Sequence, residues 1–303
     1  MTDGAVKTMT FSIAKRSEAL GAEIRGVDLS ESISDKLFEE IRAAWYENLV
    51  IVFPDQSLTN EQHIKFSARF GPLDVHPSGK YVLKDFPELL LLTNKRDDQG
   101  KYVSLRDGGS VWHSDLSYMG EPSLGSLLYG MDVPEKGGDT EWANMYLAYD
   151  ALSESLRERV AGLSAIHQFD QNDNPRLGPP PGMTAEEMKG SIWEKKTPEI
   201  KARTPDVIHP IVRRHPETGR KALFVNRRFT TFVVDMNPGE GENLLLDLFD
   251  IAERPEHIYR HRWNKHDLVL WDNRCTIHLA CGGFPDEQIR TMQRTTVRGE
   301  APV

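Results

Sequence analysis

Apolar, β-prone residues in this chain come in short bursts, each closed by glycine, proline or a polar turn. Leu49–Phe53 (LVIVF) is stopped by Pro54, which has no N–H to give to a ladder. Glu88–Thr93, Ser123–Met131, Ala222–Asn226, Leu268–Trp271 and Met292–Val297 have the same character, and a turn at Pro134–Gly138 follows the second of these. The opening stretch FSIAKRSEALGAEIRGVDLSE reads as short strands broken by glycine. Short strands must hide their edges and bury one face. A mainly β fold with helices is therefore expected, either a sandwich or a jelly roll carrying helical additions.

The helical windows are few. Leu37, Ile41, Trp45 and Leu49 recur at helical spacing over residues 34–48, with Ser34 placed as the N-cap. Residues 59–70 read as a second helix, capped by Thr59 and stopped by Gly71–Pro72. Residues 146–163 read as one helix with a stripe at Leu152, Leu156 and Val160, and residues 242–251 as another. Residues 171–200 carry Pro175, Gly178, Pro179, Pro180, Pro181 and Gly182, so they cannot form a continuous helix or a central strand. A loop this long is either a lid or a mobile surface insertion.

A length of 303 residues suffices for one domain with a sizeable core, and no internal repeat divides it. The net charge of -9 argues against a general nucleic-acid footprint, while leaving room for a small anion held by buried arginines. No apolar stretch approaches the ~20 residues of a membrane span, and the first residues lack the apolar segment of a signal peptide. Cys275 and Cys281 are too few for a disulfide framework. A cytoplasmic location is expected.

The chemistry concentrates in three segments. In Val111-Trp-His-Ser-Asp115, residues i and i+2 of a strand would share a face, so His113 and Asp115 could serve one ion. In Trp271-Asp-Asn-Arg-Cys-Thr-Ile-His278, a histidine follows a strand-like run. Two histidines and one carboxylate make the facial triad of non-haem Fe(II) oxygenases, with three positions left open on one side of the metal. In Arg290-Thr-Met-Gln-Arg294, two arginines would share a strand face, and inward arginines call for anions. Each signal alone says little, since an HxD pair arises by chance and a lone histidine is usually structural. His63, His167, His209, His215, His257, His261 and His266 take that structural or exposed reading.

The order of WHSD, GGDTEW (Gly137–Trp142), WDNRCTIH and RTMQRTTV resembles the taurine/2,4-dichlorophenoxyacetate dioxygenase family. LGAEIRGVDL (Leu20–Leu29) and VIVFPDQSLTNEQHIKFSARFGPL (Val50–Leu73) extend the resemblance over nearly the whole chain. It implies a double-stranded β-helix, or jelly roll, with outer helices, forming a single domain over residues 1–303. It implies Fe(II), 2-oxoglutarate as cosubstrate, and dioxygen. His113, Asp115 and His278 resemble the iron ligands. Arg290 resembles the arginine that binds the distal carboxylate of 2-oxoglutarate, and Thr140 the threonine beside it. Trp271 resembles a tryptophan lining the cofactor pocket. Arg294 resembles the arginine that receives the substrate's acidic group, and His76 a histidine that helps hold a sulfonate.

These resemblances imply a dioxygenase that hydroxylates a small organic anion next to a heteroatom, after which the product fragments. His76 points to an alkylsulfonate. However, Gly79 and Gly109 stand where taurine enzymes use a tyrosine and an asparagine, and WHSDLSY leans toward an aryloxyalkanoate or related aromatic acid. A jelly-roll binding protein without catalysis is the contrasting class, and the intact triad argues against it. The resemblance also implies a homo-oligomer, dimer or tetramer, and residues 171–200 and 76–110 are expected to form a mouth or lid.

Overall fold

A computed structural model of the protein describes residues 11–104 and 108–303. Residues 1–10, part of the stretch read for a targeting signal, and residues 105–107 of the expected mouth lie outside them. The first half contains β1 (Ser12–Lys15), β2 (Ala22–Arg25), α1 (Asp35–Asn48), β3 (Val50–Phe53), α2 (Asn60–Ser67), β4 (Leu90–Thr93), β5 (Gly125–Asp132), β6 (Thr140–Asn144), α3 (Met145–Asp150) and α4 (Glu154–Val160). Next come β7 (Ser164–His167), α5 (Ala185–Met188), α6 (Pro198–Arg203), β8 (Val207–Pro210), β9 (Val212–Arg214), β10 (Lys221–Leu223), β11 (Thr230–Val233) and α7 (Pro238–Ala252). The last strands are β12 (Ile258–His261), β13 (Leu268–Asp272), β14 (Thr276–Ala280) and β15 (Thr291–Val297).

A seven-stranded major sheet runs β1-β2-β3-β13-β5-β15-β4. All its pairs are antiparallel except β2–β3. A minor sheet, β12-β6-β14, packs against it, and β11-β7-β8 with the β9–β10 pair extends that layer. This is the expected jelly roll with outer helices.

Alternation along the central strands makes two cores. Val50, Val52, Leu128, Val269, Trp271 and Met292 face the minor sheet, where they meet Trp142 and Ile277. Their neighbours Ile51, Phe53, Leu127, Tyr129, Leu268 and Leu270 point the other way, onto Ile41, Trp45 and Phe66 of α1 and α2. Period-two side-chain direction is what lets one short strand feed both cores. Each fully buried aliphatic or aromatic side chain contributes ~1.5–3 kcal/mol.

The capped helices lie where their sequences place them. Ser34 accepts from Leu37 N–H, and Thr59 forms a capping box with Gln62. The expected single helix over 146–163 is two helices. Asn144 caps α3, and Ser153 accepts from Leu156 N–H to start α4 afresh, so the Leu152-Leu156-Val160 stripe spans a break. The 242–251 helix begins earlier, at Pro238, whose missing N–H suits a first helical turn capped by Asn237. Within 171–200, residues 178–182 are exposed, α5 and α6 are short, and Ser191, Ile192, Trp193 and Ile200 are buried. Among the described residues, no helix is long and apolar enough to cross a membrane.

Candidate active site

One backbone contact brings the distant histidines together. His113 and His278 form an isolated antiparallel bridge. The His113 N–H donates to the His278 carbonyl at 3.0 Å, and the His278 N–H to the His113 carbonyl at 2.7 Å. Directly opposed residues of such a pair put their side chains on one face, and the ring centroids lie 4.1 Å apart. His278 is on β14. His113 is not on a regular strand, because the chain turns at Asp115–Leu116, where Leu116 has a φ of 56°. The HxD pair therefore meets at one point through a bridge and a turn, not through strand alternation.

Asp115 is fixed from three sides. Its backbone N–H donates to Asn273 Oδ1 at 3.2 Å, Ser126 Oγ donates to its Oδ2 at 2.7 Å, and Arg294 Nη1 donates to its Oδ1 at 2.5 Å. Asn273 is the hub. It also accepts from Trp271 Nε1 and donates to Ser123 and Ser126, while its carbonyl accepts from Ser114 Oγ. The sequence offered Asn273 only as a letter inside WDNRC. Its role depends on the β13–β14 turn meeting the 113–115 segment.

The donor set suits a metal ion. His113 Nε2 lies 3.9 Å from Asp115 Oδ1, and His278 Nε2 lies 3.9 Å from Asp115 Oδ2. One donor atom from each of His113, Asp115 and His278 lies within 4.8 Å of the other two, a grouping compatible with a shared metal ion. His113 Nδ1 donates to the Val111 carbonyl, which turns Nε2 toward the cluster. Burial depresses both imidazoles, His278 to about 4 and His113 well below its usual value, so both rings are neutral at pH 7, the form a metal ion requires. Burial alone would raise the Asp115 pKa. The Arg294 guanidinium and the two histidines outweigh it and hold the carboxyl well below the usual range.

The cluster forms one wall of a cavity of about 270 Å³. His76, Thr140, Trp271, Arg290 and Arg294, the other residues singled out in the sequence, all reach this cavity. Arg290 precedes β15, and a register shift at Thr291/Met292 brings it to the cavity alongside Arg294 of β15. Its Nε donates to the Gly138 carbonyl at 3.1 Å. Burial lowers its pKa to about 10, so it stays charged at neutral pH. Thr140 Oγ1 accepts from Trp263 Nε1 at 2.9 Å, leaving its own O–H to donate. Trp271 packs against the His278 ring at 4.8 Å. His76 Nδ1 accepts from the Ser78 backbone N–H, and burial lowers its pKa to about 4, so the neutral ring carries its proton on Nε2. Arg228, which no motif marks, lines the same cavity with Phe229 and Tyr118.

The remaining histidines belong to the scaffold. His63, His167, His209, His215, His257 and His261 are buried away from the cavity, and His266 Nδ1 meets the Tyr129 hydroxyl. His215, Asp272 and Cys275 form a second buried cluster. Both Asp272 oxygens are already engaged by Arg274 and one of them also meets His215, which makes the cluster a structural tie.

A jelly roll that offers two imidazoles and one carboxylate to a metal in a cavity holding cationic anion receptors defines the class of 2-oxoglutarate-dependent, non-haem iron dioxygenases. Residues 12–296 match the family described as taurine catabolism dioxygenase TauD, TfdA family, and the chain belongs to it. An (S)-phenoxypropionate/alpha-ketoglutarate-dioxygenase of Sphingobium herbicidovorans is 36% identical, covering 96% of this chain and 96% of that protein. An alpha-ketoglutarate-dependent 2,4-dichlorophenoxyacetate dioxygenase of Cupriavidus pinatubonensis is 34% identical, covering 93% and 96%. The crystal structure of AAD-2 in complex with Mn(II) and N-oxalylglycine superimposes with a TM-score of 0.77 at 30% identity, covering 97% of this chain and 99% of that one. The protein is an Fe(II)- and 2-oxoglutarate-dependent dioxygenase.

Proposed function

We propose that the enzyme hydroxylates an aryloxyalkanoate, or a related aromatic acid, at the carbon between the ether oxygen and the carboxylate. The resulting hemiketal or hemiacetal collapses to a phenol and a 2-oxo acid, while 2-oxoglutarate becomes succinate and carbon dioxide. The observation that carries this reading is the cavity itself. It sets the apolar Leu90, Leu92, Leu128 and Phe229 beside Arg228 and Arg294, with the metal-ligand cluster on the same wall.

His113, Asp115 and His278 hold Fe(II), which when bound supplies the dioxygen chemistry. Arg290 takes the distal carboxylate of 2-oxoglutarate with its planar fork, and the Thr140 hydroxyl donates beside it. Trp271 backs His278 and fixes the ring. Arg294 keeps Asp115 ionised and oriented, and as a cation in the cavity lining it receives the substrate's acidic group. His76 offers its Nε2–H to the substrate acid. The apolar walls exclude water and hold the reacting carbon at a fixed distance from the ligand cluster.

Residues 171–200 serve as a lid, since Gln171, Ser191, Ile192 and Ile200 wall a second cavity next to the first. The family resemblance supports a homo-oligomer, dimer or tetramer, which light scattering tests. Succinate formation from 2-oxoglutarate with Fe(II) and ascorbate, across phenoxyacetates, 2-phenoxypropionates, taurine and longer alkylsulfonates, tests the substrate. Phenol release matched to succinate supports the proposal. Sulfite release replaces it with the alkylsulfonate reading that the family description also covers. His113→Ala is expected to abolish Fe(II) binding with the circular-dichroism spectrum retained. A wild-type protein that binds no Fe(II) overturns the enzymatic reading.

A further inference from the structure

Three residues past Asp115 the chain presents a phenol that the cluster does not use. Tyr118 lies on the turn that follows Asp115 and lines the cavity that carries the cluster. The residue is only 2% exposed. Among the described residues, however, its hydroxyl is hydrogen-bonded to no protein group, and its oxygen is not one of the buried polar atoms sealed inside the fold. We propose that Tyr118 donates its hydroxyl hydrogen to the ether oxygen of the substrate and so selects oxygen-bridged aryl acids. This rests on the aryloxyalkanoate reading.

The side chain is held firmly. Ser117 N–H donates to the Ser114 carbonyl at 3.3 Å, and Met119 N–H to the Leu116 carbonyl at 2.8 Å, which sets the turn. Both neighbours of Tyr118 are then tied to distant strands and loops. Asn226 Nδ2 donates to Ser117 Oγ at 3.1 Å, and His209 Nε2 donates to the Met119 carbonyl at 2.9 Å. The phenol ring packs against Phe169 and Phe229, with centroids 4.5 Å and 4.8 Å away. A side chain fixed at its backbone and along its ring has little freedom left to lose when a ligand binds.

The chemistry of the cavity says which acceptor it meets. A phenol keeps its proton at neutral pH, and burial raises its pKa further, so this hydroxyl is a neutral donor. Asp115, Arg228 and Arg294 are the charges that act on it, which sets the oxygen near the cluster. The cationic Arg290 and Arg294 in the same lining match the carboxylates of cosubstrate and substrate. In an aryloxyalkanoate the ether oxygen is the one uncharged acceptor, and it is bonded to the carbon that must face the cluster. On its other side the ether oxygen carries the ring, for which Phe229 supplies an aromatic wall. A methylene in place of that oxygen would leave the Tyr118 hydroxyl without an acceptor, so the contact discriminates between the two.

The test is a binding cycle on the anaerobic Fe(II)- and 2-oxoglutarate-loaded enzyme, which binds substrate without turning over. Titration calorimetry compares 2-phenoxypropionate with 2-methyl-3-phenylpropionate, in which a methylene replaces the ether oxygen, on wild type and Tyr118→Phe. Loss of one neutral hydrogen bond predicts about 3- to 10-fold weaker binding of the ether to Tyr118→Phe, with less than about 1.5-fold change for the methylene compound. Both compounds carry the same acid and the same ring. Equal weakening of the two, or no change in either, therefore overturns the assignment. The phenylalanine ring keeps the contacts to Phe169 and Phe229, so Tyr118→Phe should unfold at the wild-type temperature. A lower unfolding temperature reveals an internal role for the hydroxyl and also overturns the proposal. Wild type that binds neither compound refutes the aryloxyalkanoate reading, and the ether contact with it. That result is distinct from lost selectivity in an enzyme that binds both.

Discussion

Asn273 shows how much of this site depends on a residue that binds nothing but protein. It joins the backbone of Asp115, the indole of Trp271 and the hydroxyls of Ser123 and Ser126. Asn273→Ala leaves those buried groups short of partners, so a loss of about 1–3 kcal/mol in urea unfolding is expected. Because the same groups orient Asp115, Fe(II) affinity should fall about 10- to 100-fold in a metal titration. The cluster of His113, Asp115 and His278 was legible in the sequence because its chemistry is carried by identity: histidine and aspartate in HxD, and histidine after WDNRCTI. Asn273 and Arg228 were not, because asparagine and arginine are common at surfaces. Only the long-range meeting of the β13–β14 turn with residues 113–115 gives Asn273 its role, and only the folded chain brings Arg228 to the cavity wall.

Among elements, helices with a capping side chain were readable from local sequence, as Ser34 and Thr59 show. The stretch 146–163 was not, because Ser153 starts a new helix inside an unbroken apolar stripe. Strands such as β6 (TEWAN) and β12 (IYRH) lack an apolar run and are held by their neighbours in the minor sheet. The turn that opens β6 also shapes the cavity wall around Arg290. Gly137 has a φ of 77°, and a Cβ there would lie 2.4 Å from the Gly283 carbonyl oxygen. Gly137→Ala is therefore expected to cost about 2–4 kcal/mol in urea unfolding. It should also weaken 2-oxoglutarate binding, since the next residue, Gly138, carries the carbonyl that anchors Arg290. The proposed lid has its own test. If residues 171–200 close over substrate, tryptic cleavage at the exposed Lys189 should slow when 2-phenoxypropionate is added to the metal-loaded enzyme. Unchanged cleavage would remove the lid from the account.

At the scale of the whole molecule, the jelly roll encloses several histidines in their neutral form. His63 is fully buried between α2 and β15, and burial lowers its pKa from 6.5 to about 4. An imidazole that stays neutral when folded but protonates when unfolded contributes stability that is complete above pH 6.5. That contribution declines as the pH falls toward 4. His63 alone accounts for about 3 kcal/mol over this interval, and His167, shifted the same way by burial, adds to it. The unfolding temperature in calorimetry should drop steeply below pH 6.5. A profile that stays flat down to pH 5 contradicts neutral burial. The bridge between His113 and His278 has a second, thermodynamic consequence. It joins segments far apart in the chain by two peptide hydrogen bonds, with that from Ala280 N–H to the Gly109 carbonyl beside them, so an ion gripped by both side chains would act as a removable cross-link. Native-state stability then becomes a function of free metal concentration, rising by mass action with each decade of ion supplied. Chelators would soften the fold as well as silence the chemistry.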